Sequence, residues 1–228
     1  MAVQYNPGIV TDGLVLYLDA ANRKSYPGSG VTWSDLSIGG NIGTLTNGPT
    51  YSTENQGYFT FDGTNDYVIG PSISSQLTGD ITVEAWIYLT SAAGDWVRII
   101  GTGGTDGTNR TFGLWYSTDR KLLWQRYGAG DPGIFPSTPT MDTGRWHHVA
   151  ATTNGSIHFL YLNGSVIGSN ISASGPWSAS GIAVTLAYDG GIHTYHNGRI
   201  SNARIYTRGL SQVEILQNFN ATRGRFGI

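Results

Sequence analysis

Carboxylates and carboxamides beside glycine are the side chains of this sequence best suited to hold an ion. Asp62, Asn65 and Asp66 are close neighbours, Asp106 sits in a glycine-rich run, and Asp189 precedes Gly190-Gly191. Calcium takes roughly six to eight oxygen ligands, which flexible loops of this composition supply. The same residues form turns, so the reading stays open between an ion site and simple chain reversal. His193-x-x-His196 offers two imidazoles to a transition metal but lacks nearby Cys or Glu to complete the set. Trp115, Trp124, Tyr127 and Trp177 have ring faces on which a pyranose could stack, and are equally suited to filling a core between sheets.

Bond-breaking chemistry has less support. Glycoside hydrolysis needs two carboxyl groups roughly 5–9 Å apart, which E-x-D-x-E on one strand would provide. Only Glu54, Glu84 and Glu214 are present, and none belongs to such a strand. Glu84 stands alone between Val83 and Ala85. No G-x-S-x-G elbow leads into a helix, and cysteine is absent. His147 and His148 are adjacent on an expected strand, so they point to opposite faces and cannot ligate one metal. The expectation is a protein that is not an enzyme.

Strands must position these residues. Gly13–Asp19 and Tyr58–Phe61 alternate as strands, and 20–50 reads as one long loop anchored by Trp33. Ile81, Val83, Ala85, Ile87 and Leu89 share one face at period two. Thr82, Glu84, Trp86 and Tyr88 share the other, a polar-aromatic face fit to line a groove. Segments 96–101, 111–117 and 121–127 read as further strands. Asn154-Gly155 and Asn163-Gly164 predict type I′ hairpins around Trp146–Thr153 and Ile157–Leu162. Val184–Ala187 and Arg199–Tyr206 close the sheets. Ser211 and Glu214 then spell a capping box, and Leu210 with Ile215 a hydrophobic staple, so a short helix follows the last strand.

The 228 residues include 33 glycines, 13 tyrosines and 7 tryptophans, which suits many short strands over an aromatic core. The expectation is one domain over 1–228, with an N-terminal arm at 1–12 and a tail at 218–228. Without cysteine the core alone must hold the fold. No apolar run approaches the ~18 residues of a membrane span, and no signal-peptide pattern opens the chain. Residues 1–97 hold two basic and nine acidic side chains, whereas 190–228 hold five arginines against Glu214. Those arginines are not interleaved with aromatics, which argues against nucleic acid as a partner.

Four segments carry a family resemblance in chain order. They are Phe61-Asp62-Gly63-Thr64-Asn65-Asp66-Tyr67, Ile81–Ile87, Trp146–Ala150 with Leu160–Gly164, and the ending from Tyr188 through Ile200–Tyr206 to Leu216. Together they resemble the laminin-G-like, concanavalin A-type jelly rolls. The resemblance implies an all-β antiparallel sandwich with one short C-terminal helix, makes calcium at loop edges plausible, and gives Asp66 a fixed structural or metal role. Residues 200–206 and 217–227 further resemble the tails of laminin-G-like proteins of tailed bacteriophages. That implies a virion component (capsid decoration, head fibre or tail adhesin), assembled in the host cytoplasm, with other virion proteins and cell-surface glycans as partners. In this reading Arg223, Arg225 and Phe226 dock on neighbouring subunits, and deleting 218–228 leaves the monomer folded. The alternative is a free calcium-dependent carbohydrate-binding module.

Overall fold

A computed structural model describes residues 8–103, 110–127, 133–134, 139–155, 157–171, 177, 181–191 and 193–228. Two eight-stranded antiparallel sheets pack face to face. The first runs Ser165–Ile171, Ile157–Leu162, Trp146–Asn154, Thr82–Leu89, Asn197–Tyr206, Tyr58–Asp62, Thr50–Ser52, and Leu14–Asp19 also pairs with Asn197–Tyr206. The second runs Gly133–Ile134, Leu122–Arg126, Phe112–Tyr116, Val97–Thr102, Val184–Leu186, Tyr67–Ile69, Ile42–Thr46, Thr32–Ser34. Segment 20–50, expected as one loop, contains two of these short strands and the first residue of a third. Their alternation is too brief and too interrupted by glycine to register as periodic.

The alternation in Thr82–Leu89 works as the sequence implies. Val83, Ala85, Ile87 and Leu89 point between the sheets, against Phe59, Leu114 and Leu160. Asn163 and Gly164 both take positive φ (51° and 78°), as a type I′ turn requires. At Asn154-Gly155 only the glycine does (59°).

The other face of Thr82–Leu89 is not a groove. It lies beneath the C-terminal helix Gln212–Thr222 and the 3-10 turn Arg223–Phe226. The helix begins as its sequence dictates. Ser211 Oγ accepts from the Glu214 backbone N–H, and the Ser211 N–H donates to Glu214 Oε2 at 2.8 Å. Ile215 then packs with Leu210. An isolated helix of this length is marginal in water, so its stability comes from what it covers.

What it covers is charged. Glu84 lies opposite Arg204 across neighbouring strands, and Arg204 donates to it; both are fully buried. His148 Nε2 lies 3.3 Å from the second Glu84 oxygen. Asn218 from the helix donates through Nδ2 to Glu84 Oε1 and to the Tyr206 hydroxyl, both at 3.0 Å, while its Oδ1 accepts from the Val10 N–H at 2.7 Å. One carboxamide therefore ties helix, sheet and N-terminal segment together. Glu84, taken from sequence as solitary, is the centre of this network.

Most of the tail belongs to the same arrangement, which corrects the assignment of Arg225 and Phe226 to partner docking. Arg225 NH1 reaches both oxygens of the buried Asp19, at 2.8 and 3.0 Å. Phe226 stacks on Trp86 with centroids 4.2 Å apart and lies 4.7 Å from Trp146. Arg223 is exposed, its guanidinium 5.7 Å from the Phe219 ring. A neighbouring subunit is not needed to explain Arg225 and Phe226, because partners within the chain already use them. The expected N-terminal arm is likewise held over residues 8–12: Gln217 donates to the Gly8 carbonyl and Tyr206 to that of Val10.

Burial pushes the Glu84 carboxyl up, but the charge of Arg204 and the close approach of the His148 imidazole outweigh it and hold it at about 2. For Asp19, burial is likewise outweighed by Arg225 and the Tyr17 hydroxyl, which keep it below the usual carboxylate range. A carboxyl with a depressed folded-state pKa stabilises above its unfolded pKa, and that stability is lost as pH falls through the folded value. Burial holds the His158 and His196 imidazoles at about 4, against 6.5 for a free histidine, so the unfolded chain takes up protons first. Thermal melts should therefore begin to fall below about pH 6.5 and fall further, through Glu84, from about 4.5 toward 2. A melting temperature constant down to pH 3 would contradict this coupling.

Candidate functional site

The turns carrying Asp66 and Asp189 meet through their tyrosines. Val68 points into the core, so Tyr67 faces outward from the second sheet. Its ring stacks on Tyr188 (centroids 4.5 Å apart, planes at 28°), and Tyr188 stacks on Tyr195 (5.3 Å, 19°). All three are partly exposed. Burial raises the hydroxyl pKa of Tyr188 and Tyr195, with neighbouring tyrosines and Asp189 adding to the effect, so both remain neutral donors at physiological pH.

Beside this stack Asp189 is buried and committed to its own turn. Its Oδ2 lies 2.6 Å from His193 Nδ1, and its Oδ1 accepts the N–H groups of Gly191 (3.2 Å) and His193 (3.3 Å). Burial pushes the Asp189 carboxyl up; the His193 hydrogen bonds and the charge of Arg98 prevail and hold it low. A carboxylate thus fixes the ring of a partly exposed histidine on the aromatic rim. His196 is separated from His193: it is buried, with Nδ1 3.0 Å from the Tyr116 hydroxyl.

The Asp62 loop closes on itself. Asp62 Oδ1 accepts from the N–H groups of Thr64 (2.8 Å) and Asn65 (3.2 Å), and Asp66 Oδ2 accepts from the Asp62 N–H (3.1 Å). Those backbone hydrogen bonds, led by Thr64, lower the Asp62 pKa, while burial raises that of Asp66. Gly63 has φ of 75°, and a Cβ there would come within 2.8 Å of Asn197 Cβ, so glycine is required on both counts. These contacts are those of a turn. Among the described residues, no three His, Cys, Asp or Glu side chains gather as a metal site. Asp106 lies outside the described residues.

The tryptophans named as sugar platforms are buried, which corrects that assignment. Trp124 is in the core, its indole N–H directed at His158 Nδ1 at 3.2 Å. Trp177 packs edge-on against His158 and under the Arg126 guanidinium, 4.9 Å from the ring centroid. Trp115 lies flat over Gly113, where an added Cβ would be 2.1 Å from its Nε1. Tyr127 remains half-buried and accepts from Arg110 NH1 at 3.0 Å. The aromatic residues on the open rim are tyrosines instead, and a signal for them was present: Tyr67 follows Asp66 directly, and Tyr188 precedes Asp189-Gly190-Gly191.

Elsewhere, an open depression is lined by Arg120, Asp142, Thr143, Gly144 and Arg145. Its Arg145–Asp142 ion pair is largely exposed, which gives a ligand little advantage over water.

Double-sheet jelly rolls are an architecture of lectin and viral capsid domains. This chain belongs to the concanavalin A-like lectin/glucanases superfamily, whose sequence pattern it matches over residues 62–216. Among solved structures it is similar to Trypanosoma rangeli sialidase in complex with sialic acid (18% identity, TM-score 0.71), covering 97% of this chain and 36% of that one. It is also similar to the binding domain of Paraclostridial Mosquitocidal Protein 1 (17%, TM-score 0.69), covering 92% and 52%. A third is the receptor binding domain of botulinum neurotoxin C/D mosaic serotype (16%, TM-score 0.68), covering 92% and 51%. The chain thus spans about a third to a half of these chains, and the likeness shows the fold. No curated protein gives a significant sequence match. The expectation that the chain is not an enzyme is corrected by these findings, because the similar structures include sialidases.

Proposed function

We propose that this chain is a lectin-type recognition domain that holds a cell-surface glycan on the Tyr67–Tyr188–Tyr195 rim. One observation carries the reading: three stacked, partly exposed tyrosines stand beside a histidine oriented by a buried carboxylate. A pyranose presents an apolar face to such rings and hydroxyls at its edge, and tyrosine serves both because its ring is apolar and its tip polar. With His193 Nδ1 turned to Asp189, Nε2 is the nitrogen offered to a sugar hydroxyl. The similarity to binding and receptor-binding domains of two toxins supports recognition as the task.

The setting we propose is display on a virus particle, supported by the resemblance of residues 200–206 and 217–227 to phage virion proteins. In that setting a surface other than Arg225 and Phe226 meets the particle. Calcium enters the proposal as an aid to glycan binding rather than as a ligand of the self-closed Asp62 turn. A glycan array probed with the full chain, in calcium and again in chelator, tests the reading. Selective binding is expected, and loss in chelator would assign calcium its part. Absence of any selective binding by well-folded protein would overturn the proposal.

A further inference from the structure

Beneath the tyrosine rim lies a cation that forms no ion pair among the described residues. Arg98 pairs in register with Trp115, and beyond a register shift Gly101 pairs with Gly113. Both glycines serve as floor. A Cβ on Gly101 would sit 2.9 Å from Arg98 Cδ, just as one on Gly113 would strike the indole of Trp115. The guanidinium lies 4.6 Å from the Trp115 centroid and is fully buried. Among the described residues its Nε, NH1 and NH2 have no hydrogen-bond partner. The terminal nitrogens face the backbone at Gly103, where a Cβ would be 2.9 Å from NH2 and 3.3 Å from NH1.

A second guanidinium joins it. Arg110 lies 5.5 Å from the same indole centroid, and its Cγ would be 3.0 Å from a Gly103 Cβ. Its buried Nε also lacks a partner among the described residues. The nearby carboxylate is Asp189, which orients His193 and forms no ion pair with Arg98. Among the described residues, two cations therefore share one carboxylate. Burial draws the Arg98 pKa down to about 10, against the attraction of Asp189, so the group stays charged at neutral pH. Stacking on tryptophan rewards a cation, but it satisfies none of the N–H donors, and a buried charge without hydrogen bonds is strongly disfavoured. A planar fork of donors matches a carboxylate bidentately.

We propose that Arg98 and Arg110 receive the carboxylate of an acidic sugar, entering beside Gly103 while its ring rests on the tyrosines. This rests on the lectin reading and specifies its ligand class. Glucose against glucuronic acid, and lactose against 3′-sialyllactose, should be titrated into the full chain at low and high salt. Each acidic sugar is expected to bind at least about ten-fold tighter than its neutral counterpart, with a preference that shrinks at high salt.

Arg98→Met should abolish the preference and, by removing an unpaired buried charge, raise the ligand-free melting temperature by about 2–4 °C. An arginine serving packing alone would instead lower it when replaced. Arg110→Gln should weaken acidic sugars selectively, and it decides the matter if Arg98→Met fails to fold. If acidic and neutral sugars bind equally and Tyr188→Ala weakens both, acid recognition falls and the lectin reading stands. If neither class binds, both fall.

Discussion

Glu84→Ala should destabilise the protein by about 3–5 kcal/mol, the range for breaking a buried ion pair by removing one partner. The variant leaves Arg204 charged and fully buried, with the Tyr17 ring 4.7 Å away as its remaining neighbour of note. It also removes the oxygen to which Asn218 Nδ2 donates, so the helix loses its central polar anchor. Glu84→Gln should cost less, because a carboxamide oxygen can still accept from Asn218. The double variant Glu84→Leu, Arg204→Met should recover much of the loss, since well-packed apolar replacements of buried pairs are often neutral or better. Chemical denaturation of the three variants measures this. A loss below about 1 kcal/mol for Glu84→Ala would show that the network contributes little.

Deletion of residues 218–228 should have a still larger effect: the truncated chain should fail to melt cooperatively. It removes Asn218, Phe219, Thr222, Arg225 and Phe226 together. Trp86 loses its hydrogen bond to Thr222 Oγ1 (2.8 Å) and its stacking on Phe219 and Phe226. Trp146 loses Phe226, and Asp19 loses Arg225 while remaining buried. Burying one large apolar side chain contributes about 1.5–3 kcal/mol. Two phenylalanines and two broken polar anchors thus approach the whole stability of an ordinary domain, about 5–15 kcal/mol. Near-UV circular dichroism and calorimetry on the truncated chain are the test. A native-like cooperative transition would restore the tail to the role of a detachable arm.

Much of the architecture is legible in local pattern. Period-two alternation places Val83 and Ile87 inward and Glu84 and Trp86 on the opposite face, and Ser211 with Glu214 marks the start of the helix. Local pattern cannot say what covers a face. The partner of Glu84 is Arg204, which is adjacent only because Asn197–Tyr206 returns beside Thr82–Leu89. The destination of Phe226 depends on the same long-range pairing. The site was half legible for a related reason. Asp66-Tyr67 and Tyr188-Asp189 stand out as turn motifs, and the carboxylates draw notice because carboxylates bind ions. Folding turns those carboxylates onto their own N–H groups and His193, and leaves the adjoining tyrosines on the rim. Arg98, lodged between Val97 and Ile99, has no local sign that its guanidinium will be buried over tryptophan.

The central claim is that the tyrosine rim binds sugar. It is tested most directly by titrating the strongest array glycan into the full chain and into Tyr188→Ala, with melting temperatures recorded for both. Tyr188 is the middle ring of the stack and partly exposed, so its loss should weaken binding about ten-fold or more while leaving the fold intact. Equal affinity for the two proteins would place the glycan elsewhere and contradict the account.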